Sequence, residues 1–254
     1  MLKKRIIFCL LYQDGYFVQS RNFITNKIGD TNWIIENYNF SNISNFIDEL
    51  IIIDISKEKK ISTFLKNVEQ ITKKSFIPLT IGGGINSIKK AGILLETMCD
   101  KVLINTGLFE TPKLINQVAK KYGNQSIVAA LDYRYENNKR IFYKQDGNVR
   151  IIKSFKETLN YIQKLPVGEI ILNSIDRDGT GQGLDENLVN QLKNMNKPII
   201  FSGGAGNYRH FIDILNSKKI SAISTSNLLN FVGDGLKILR EELLINKIDL
   251  PSWK

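Results

Sequence analysis

One rhythm constrains this chain more than any other feature. Short β-branched runs recur along its length, and each leads through a polar or glycine turn into a stretch of helical period. Eight runs read as strands: Arg5–Leu11, Glu49–Ile55, Phe76–Ile81, Lys101–Asn105, Ser126–Asp132, Glu169–Ser174, Pro198–Ser202 and Ile220–Thr225. Helical stretches fill the gaps at Asn32–Phe46, Ile61–Lys73, Ser87–Glu96, Pro112–Tyr122, Ser154–Leu165, Glu186–Lys193, Tyr208–Asn216 and Gly235–Leu244. Eight βα units in 254 residues have the length and rhythm of a (β/α)8 TIM barrel, with a doubly wound open sheet as the alternative. No Pro/Ser-rich linker interrupts them, so residues 1–254 read as a single barrel domain.

The chain also repeats itself. Pro78-Leu79-Thr80-Ile81-Gly82-Gly83-Gly84 aligns with Ile199-Ile200-Phe201-Ser202-Gly203-Gly204-Ala205 at an offset of 121 residues, and Ile6–Leu11 aligns with Ile127–Asp132 at the same offset. Asn105-Thr106 falls on Ser226-Asn227, again at 121. A period this long marks a duplication rather than a solenoid, hence a barrel built from two duplicated half-barrels. Both glycine turns follow strands and open helices, where backbone N–H groups approach an anion closely. A lone glycine triplet is as often a bare tight turn, but two at symmetric positions, each beside a polar strand end, point to two phosphate sites. The expected donors are Gly82, Gly83, Asn105 and Thr106 in one half and Gly203, Gly204, Ser226 and Asn227 in the other. The ligand expected is an elongated bis-phosphorylated small molecule or a nucleotide-sugar-like one.

Two cysteines, Cys9 and Cys99, supply neither a disulfide framework nor a four-ligand metal site, and the single His210 argues against zinc chemistry. No metal, no cofactor and a cytoplasmic location are therefore expected. The apolar run Ile6–Tyr12 is far short of the roughly 20 residues a membrane span needs, and it ends in the turn signal Gln13-Asp14-Gly15. The formal charge of +10 invites a nucleic-acid reading, but the lysines are scattered among asparagines and isoleucines and no nucleic-acid motif is present, so nucleic acid is not an expected partner.

Charges also mark the strand starts. Arg5, Glu49, Lys101 and Glu169 each open a strand, and strand parity puts Arg5 on the side of Ile7, Cys9 and Leu11. If these sides face inward, two cations and two anions ring the bottom of the barrel in a self-neutralising set; if not, they are ordinary rim charges. Glu49 and Asp54 differ in parity, so both cannot point inward without a bulge. At the strand C-termini, where barrel enzymes keep their chemistry, stand Asp54, Asp132, Asp176 and Asp178. Some of these would simply bind backbone N–H groups, a role that suits Asp178 before Gly179.

Taken together, Arg5-Ile-Ile-Phe-Cys-Leu, Asp48–Ile55, Ile81–Ile85, Asp100–Thr106, Gly168–Thr180 and Ser202–Gly206 resemble the cyclase (HisF) subunit of imidazole glycerol phosphate synthase over nearly the whole chain. The resemblance implies a barrel that receives ammonia from a HisH-type glutaminase on its N-terminal face and conducts it to a phosphorylated substrate at the C-terminal face. It implies an ammonia gate of Arg5, Glu49, Lys101 and Glu169, and phosphate contacts that add Asp178 and Gly179 to the residues above. Of the family's two essential aspartates the second is kept as Asp132, while the first is replaced by Leu11, and the lysine of the following loop is Gln19. Leucine carries no proton, so the acid/base pair for ring closure is broken. These changes resemble the WbuZ-like branch, which is associated with amidation of surface-polysaccharide sugars and implies a separate sugar amidotransferase as a further partner. The competing readings are a working cyclase of histidine biosynthesis with Asp14 or Asp176 standing in, a HisA-like isomerase, and an inert scaffold.

Overall fold

The computed structural model describes residues 3–38, 43–73, 76–226 and 234–251. Its strands are β1 (Arg5–Gln13), β2 (Tyr16–Arg21), β3 (Ile24–Gly29), β4 (Glu49–Asp54), β5 (Leu79–Gly82), β6 (Lys101–Ile104), β7 (Ile127–Glu136), β8 (Lys139–Lys144), β9 (Val149–Arg150), β10 (Glu169–Ser174), β11 (Ile199–Ser202) and β12 (Ile220–Thr225). The parallel ladder runs β1-β4-β5-β6-β7-β10-β11-β12. β12 then pairs back onto β1 through Arg5↔Ala222 to Phe8↔Thr225, closing a (β/α)8 barrel. Helices such as Ile61–Thr72, Ile88–Thr97, Pro112–Tyr122, Phe155–Lys164, Tyr208–Leu215 and Gly235–Ile245 make the return crossings outside it.

Closure sorts each strand's residues into two sets. Ile7, Cys9, Ile51, Leu103, Val128, Ala130, Ile171, Ile200 and Ala222 form a small buried cluster in the lumen, with Leu11 and Ile53 packed against it. Their neighbours Ile6, Phe8, Leu10, Leu50 and Ile52 face outward and join the larger core with Phe64, Val68, Leu114, Val118, Phe211 and Ile214 of the helices. The parity conflict between Glu49 and Asp54 is thereby settled without a bulge. Glu49 shares the lumen side of β4 with Ile51, whereas Asp54 faces outward, where its Oδ1 accepts the Ser56 N–H at 2.9 Å.

The barrel strands lie where the rhythm puts them, with shifted ends. β5 begins at Leu79 rather than Phe76, since Pro78 has no N–H for the ladder; Phe76 is wholly exposed. The stretch expected as one helix over Asn32–Phe46 is helical at Thr31–Tyr38, and Glu186–Lys193 divides into an α-turn at Glu186–Val189 and a 3-10 turn at Asn190–Leu192.

Sequence reasoning missed the excursions at the C-terminal face. β1 runs on past Leu11 and turns back into β2 through Asp14 and Gly15, both at positive φ, as a two-residue hairpin requires. β7 likewise runs on to Glu136 and returns as β8 through Asn137 and Asn138.

A buried ion pair locks the other end of the barrel. Arg240 of the final helix donates to Asp48 Oδ1 at 3.0 Å, while Asp48 Oδ2 accepts the Ile6 N–H at 2.8 Å. The same guanidinium donates to the Pro251 carbonyl, tying the C-terminal segment to the start of β1. Removing one partner of a buried pair typically costs about 3–5 kcal/mol, so Arg240→Met should lower Tm by roughly 10 °C in thermal unfolding followed by circular dichroism. A Tm within about 2 °C of the parent would show that the pair does not lock the barrel.

Candidate functional site

At the N-terminal end of the lumen the four strand-opening charges meet. Arg5 Nη1 donates to Glu49 Oε2 at 2.8 Å and its Nη2 pairs with Glu169 Oε1. Lys101 Nζ lies 3.0 Å from Glu49 Oε2 and 2.9 Å from Glu169 Oε2, so each cation touches both anions and the ring is closed. Thr80, on the lumen side of β5, adds a hydroxyl donated to Glu49 Oε1 at 2.6 Å. Burial works against the charged form of Glu169, yet Arg5 and then Lys101 outweigh it and hold the carboxyl below its usual range. Above this ring the lumen wall is apolar.

At the opposite end stands Asp132. Parity puts it inward on β7 after Val128 and Ala130, and two amides from neighbouring strands hold it: Asn105 Nδ2 donates to its Oδ2 and Asn173 Nδ2 to its Oδ1, each at 3.1 Å. Burial pushes its pKa up to about 7; the Asn173 amide offsets part of that, and the charges of Asp146 and Asp178 add to it. Neither nearby charge is one of the stand-ins expected from sequence. Asp14 sits exposed at the first hairpin tip, and Asp176 Oδ2 is engaged by the Tyr135 N–H at 2.6 Å. Leu11 closes the lumen side of β1 against the apolar cluster, and Gln19 pairs across the hairpin with Asn26. Cys9 lies in the lumen with its thiol pushed up to about 12 by burial, so it is inert as a nucleophile near neutral pH.

The expected phosphate residues fall into two unlike environments. Asp178, Gly179, Gly203, Gly204 and Ser226 line one cavity of about 240 Å³, together with Thr180, Gly181, Ser202, Ala205, Gly206, Ser224 and Thr225. Close backbone approach builds its walls. Gly204, at φ +105°, lies so near the Gly183 carbonyl that any Cβ would collide with it, and Gly179, at φ +67°, is pressed in the same way onto Ser20. Asp178 serves that wall, accepting the Phe23 N–H at 3.1 Å and so holding a bulky residue at φ +67°. In the other half, Asn105 is bound to Asp132 and the Thr106 hydroxyl accepts the Gln145 N–H at 3.1 Å, while the small void beside Gly82 and Gly83 lies on the helix side, between Asp54, Ile61, Phe64, Lys90 and Leu94. Asn227 lies outside the described residues.

Two further mouth residues were not singled out from sequence. Arg134, two positions beyond Asp132 on the same side of β7, has a buried Nε without a hydrogen-bond partner among the described residues, and its guanidinium lies 5.5 Å from the centre of the Tyr143 ring. Arg140 of β8 grips Asp185 with two hydrogen bonds of 2.7 and 2.8 Å, and Tyr133 donates to the same carboxylate at 3.1 Å. Both depend on the unforeseen strand β8; a period-two run with an Asn-Asn turn was the signal available. Among the described residues no group of three or more His, Cys, Asp or Glu is arranged to hold a metal ion. No helix among them is long and apolar enough to cross a membrane.

Comparison with known proteins agrees with this geometry. Residues 5–231 match the family model described as "Histidine biosynthesis protein". A protein of Parasynechococcus marenigrum described as "Putative imidazole glycerol phosphate synthase subunit hisF2" is 43% identical over 100% of this chain and 95% of its own length. Proteins described as "Imidazole glycerol phosphate synthase subunit HisF" are 36% identical in Chlorobium limicola, over 91% of this chain and 92% of theirs, and 34% identical in Flavobacterium johnsoniae, over 98% and 99%. With a closed barrel of this topology and relatives that span it from end to end, the chain belongs to the histidine biosynthesis protein family, as a HisF-type member.

Proposed function

We propose that this HisF-type chain is a synthase subunit that receives ammonia from a HisH-type glutaminase at its N-terminal face, passes it through the barrel, and delivers it to an acceptor at the C-terminal mouth. The observation that carries this reading is the closed ring of Arg5, Glu49, Lys101 and Glu169 standing under an apolar lumen. A structural barrel gains little from one buried and three half-buried charges, which apolar residues of similar volume often replace without loss. As a gate the ring has a use. It blocks water at rest, and an apolar lumen admits neutral ammonia while rejecting ammonium, whose charge is costly to desolvate. The docked glutaminase is the natural source of that ammonia.

At the mouth, Asp132 is the proton carrier of this scheme. Held near neutrality by burial, it exists in both protonation states at working pH, which suits a general acid or base. The carboxylate that would make it a cyclising pair is missing, because Leu11 occupies the first position. The acceptor is therefore a surface-polysaccharide sugar, amidated with a separate sugar amidotransferase, rather than the substrate of ring closure. The second reading is a working cyclase of imidazole glycerol phosphate synthase. It is favoured by the names of the relatives and by the charges of Asp146 and Asp178, either of which would have to replace the lost group.

Turnover of the histidine-pathway substrate under saturating ammonium, with no glutaminase present, decides between the two. Loss of one positioned acid/base group typically costs about 10²–10⁴-fold, so cyclisation should be undetectable or severely slowed, and Leu11→Asp should restore part of it only if the pocket still fits that substrate. Robust turnover by the parent chain would establish the cyclase reading.

The gate is tested separately. Lys101→Ala leaves two carboxylates facing Arg5 alone, and amidation drawn from glutamine should fall roughly tenfold or more relative to amidation from free ammonium. Coupling at the parent level would remove the gate.

Asp132 leaves a signature in stability. Its folded pKa of about 7 lies above the ordinary carboxylate value of 3.8, so the folded chain holds its proton more tightly and stability falls as pH rises from about 4 to about 7. Asp132→Asn, with Asn173 free to turn its amide over, should leave Tm unchanged near pH 4 and raise it by at least about 2–4 °C at pH 8. An equal effect at both pH values would contradict the raised pKa.

A further inference from the structure

We infer that Arg134, at the C-terminal mouth, is a specificity-determining residue that binds a carboxylate of the acceptor, so that the sugar taken here is a sugar acid. The inference rests on the reading of the mouth as the place where ammonia meets a sugar acceptor, and it names the class of that sugar.

Arg134 stands between two carboxylates and is paired with neither. Alternate residues of a strand share a face, so Asp132, Arg134 and Glu136 follow one another on the mouth side of β7, while Tyr133 turns to the other side, against Phe142 and Phe155. A cation between two anions at that spacing would ordinarily pair with one of them. Here both are taken. The amides of Asn105 and Asn173 hold Asp132, and the Tyr143 hydroxyl donates to Glu136 Oε1. The guanidinium rests instead over the Tyr143 ring, and among the described residues its Nε is enclosed without a hydrogen-bond partner. An enclosed donor without a partner is rare, because it has given up water for nothing in return. Arg140, on the opposite face of the same hairpin, shows the ordinary outcome, with two hydrogen bonds to Asp185.

Register puts a second arginine on the same face. Asp132 lies opposite Tyr143 and Tyr143 opposite Arg150, so the three stand in one row across β7, β8 and β9. Directly opposite side chains are near neighbours, and Arg134 and Arg150 thus share one aromatic ring. A guanidinium offers its donors in one plane, at the spacing of two carboxylate oxygens, and so forms paired charge-assisted hydrogen bonds. The ring beneath Arg134 holds that plane before any ligand arrives, which lowers the ordering cost of binding. A singly charged group suits the place better than a phosphate dianion. The charges of Asp146 and Asp178 are felt in the same mouth, at Asp132, and they repel a double charge more strongly than a single one.

The test is titration of the full chain with D-glucuronate and with D-glucose, followed by NMR chemical shifts, on the parent and on Arg134→Gln, Arg134→Lys and Tyr143→Phe. The parent should bind glucuronate about tenfold or more tighter than glucose, and Arg134→Gln should lose that preference. Arg134→Lys keeps the charge but not the fork and should recover only part of it. Tyr143→Phe frees Glu136 to pair with Arg134 and should also weaken glucuronate, and adding Glu136→Gln should restore the affinity. If Arg134→Gln does not fold, Tyr143→Phe and its rescue carry the comparison. Equal binding of the two sugars by the parent, glucuronate binding at the parent level in Arg134→Gln or in Tyr143→Phe, or displacement of glucuronate by an equal concentration of inorganic phosphate would each overturn the inference. No titration here uses glutamine or ammonia, so its failure is seen apart from a failure of the coupling read with Lys101→Ala.

Discussion

Pairing of β12 with β1 is the constraint on which the other features depend. Once the sheet closes, alternate residues of every barrel strand have no choice but the lumen, and the same two-residue period collects the opening charges at one end and the polar strand ends at the other. The lumen is narrow and is filled largely by side chains such as Ile7, Ile51, Val128 and Ile200. A charge held there is largely withdrawn from solvent, Glu49 almost wholly and the other three in greater part, so it finds its counter-charge within the ring. That is why Arg5, Glu49, Lys101 and Glu169 occur as two of each sign, and why the partners rather than burial decide the direction in which Glu169 titrates.

The same low-dielectric lumen treats Asp132 differently. It has two neutral amides and no cation among its hydrogen-bond partners, so burial prevails and its carboxyl titrates near neutrality. One barrel thus holds a ring of paired charges at its base and, at its mouth, a carboxyl that burial brings near neutrality. The difference lies in what each residue faces rather than in residue type, since Glu169 and Asp132 are both carboxylates in lumen positions.

The repeat at an offset of 121 residues gives two halves of like pattern whose side chains make them unequal. The glycine turns superpose in sequence, yet lysines from the surrounding helix and loop engage carbonyls beside one, while the other borders a cavity of about 240 Å³. The hairpins β2–β3 and β7–β8 then build a rim that belongs to neither repeat. Phe23, held at positive φ by Asp178, reaches from the first hairpin onto Gly147 beyond the second.

The sequence by itself determined the barrel. Eight alternations, a repeat at a fixed offset and apolar strand centres leave almost no other way to bury this much surface, because periodicity is local and survives being read one residue at a time. It also carried the four charges of the ring, through their positions at strand starts and their resemblance to a known family. What only the tertiary structure decided were relations between residues far apart in the chain. These include the outward turn of Asp54, the amide clamp of Asn105 and Asn173 on Asp132, the replacement of Asp14 and Asp176 by Asp146 and Asp178 as the charges felt there, and the grip of Arg140 on Asp185. The hairpins escaped notice because Asp14-Gly15 and Asn137-Asn138 announce a turn but not the strands that pair across it. The lysines beside one glycine turn escaped because a lysine looks the same in sequence whether it reaches water or a carbonyl. Hydrogen-bond partners, burial and pKa follow from which side chains meet in space, and the chain fixes that only once the barrel has closed.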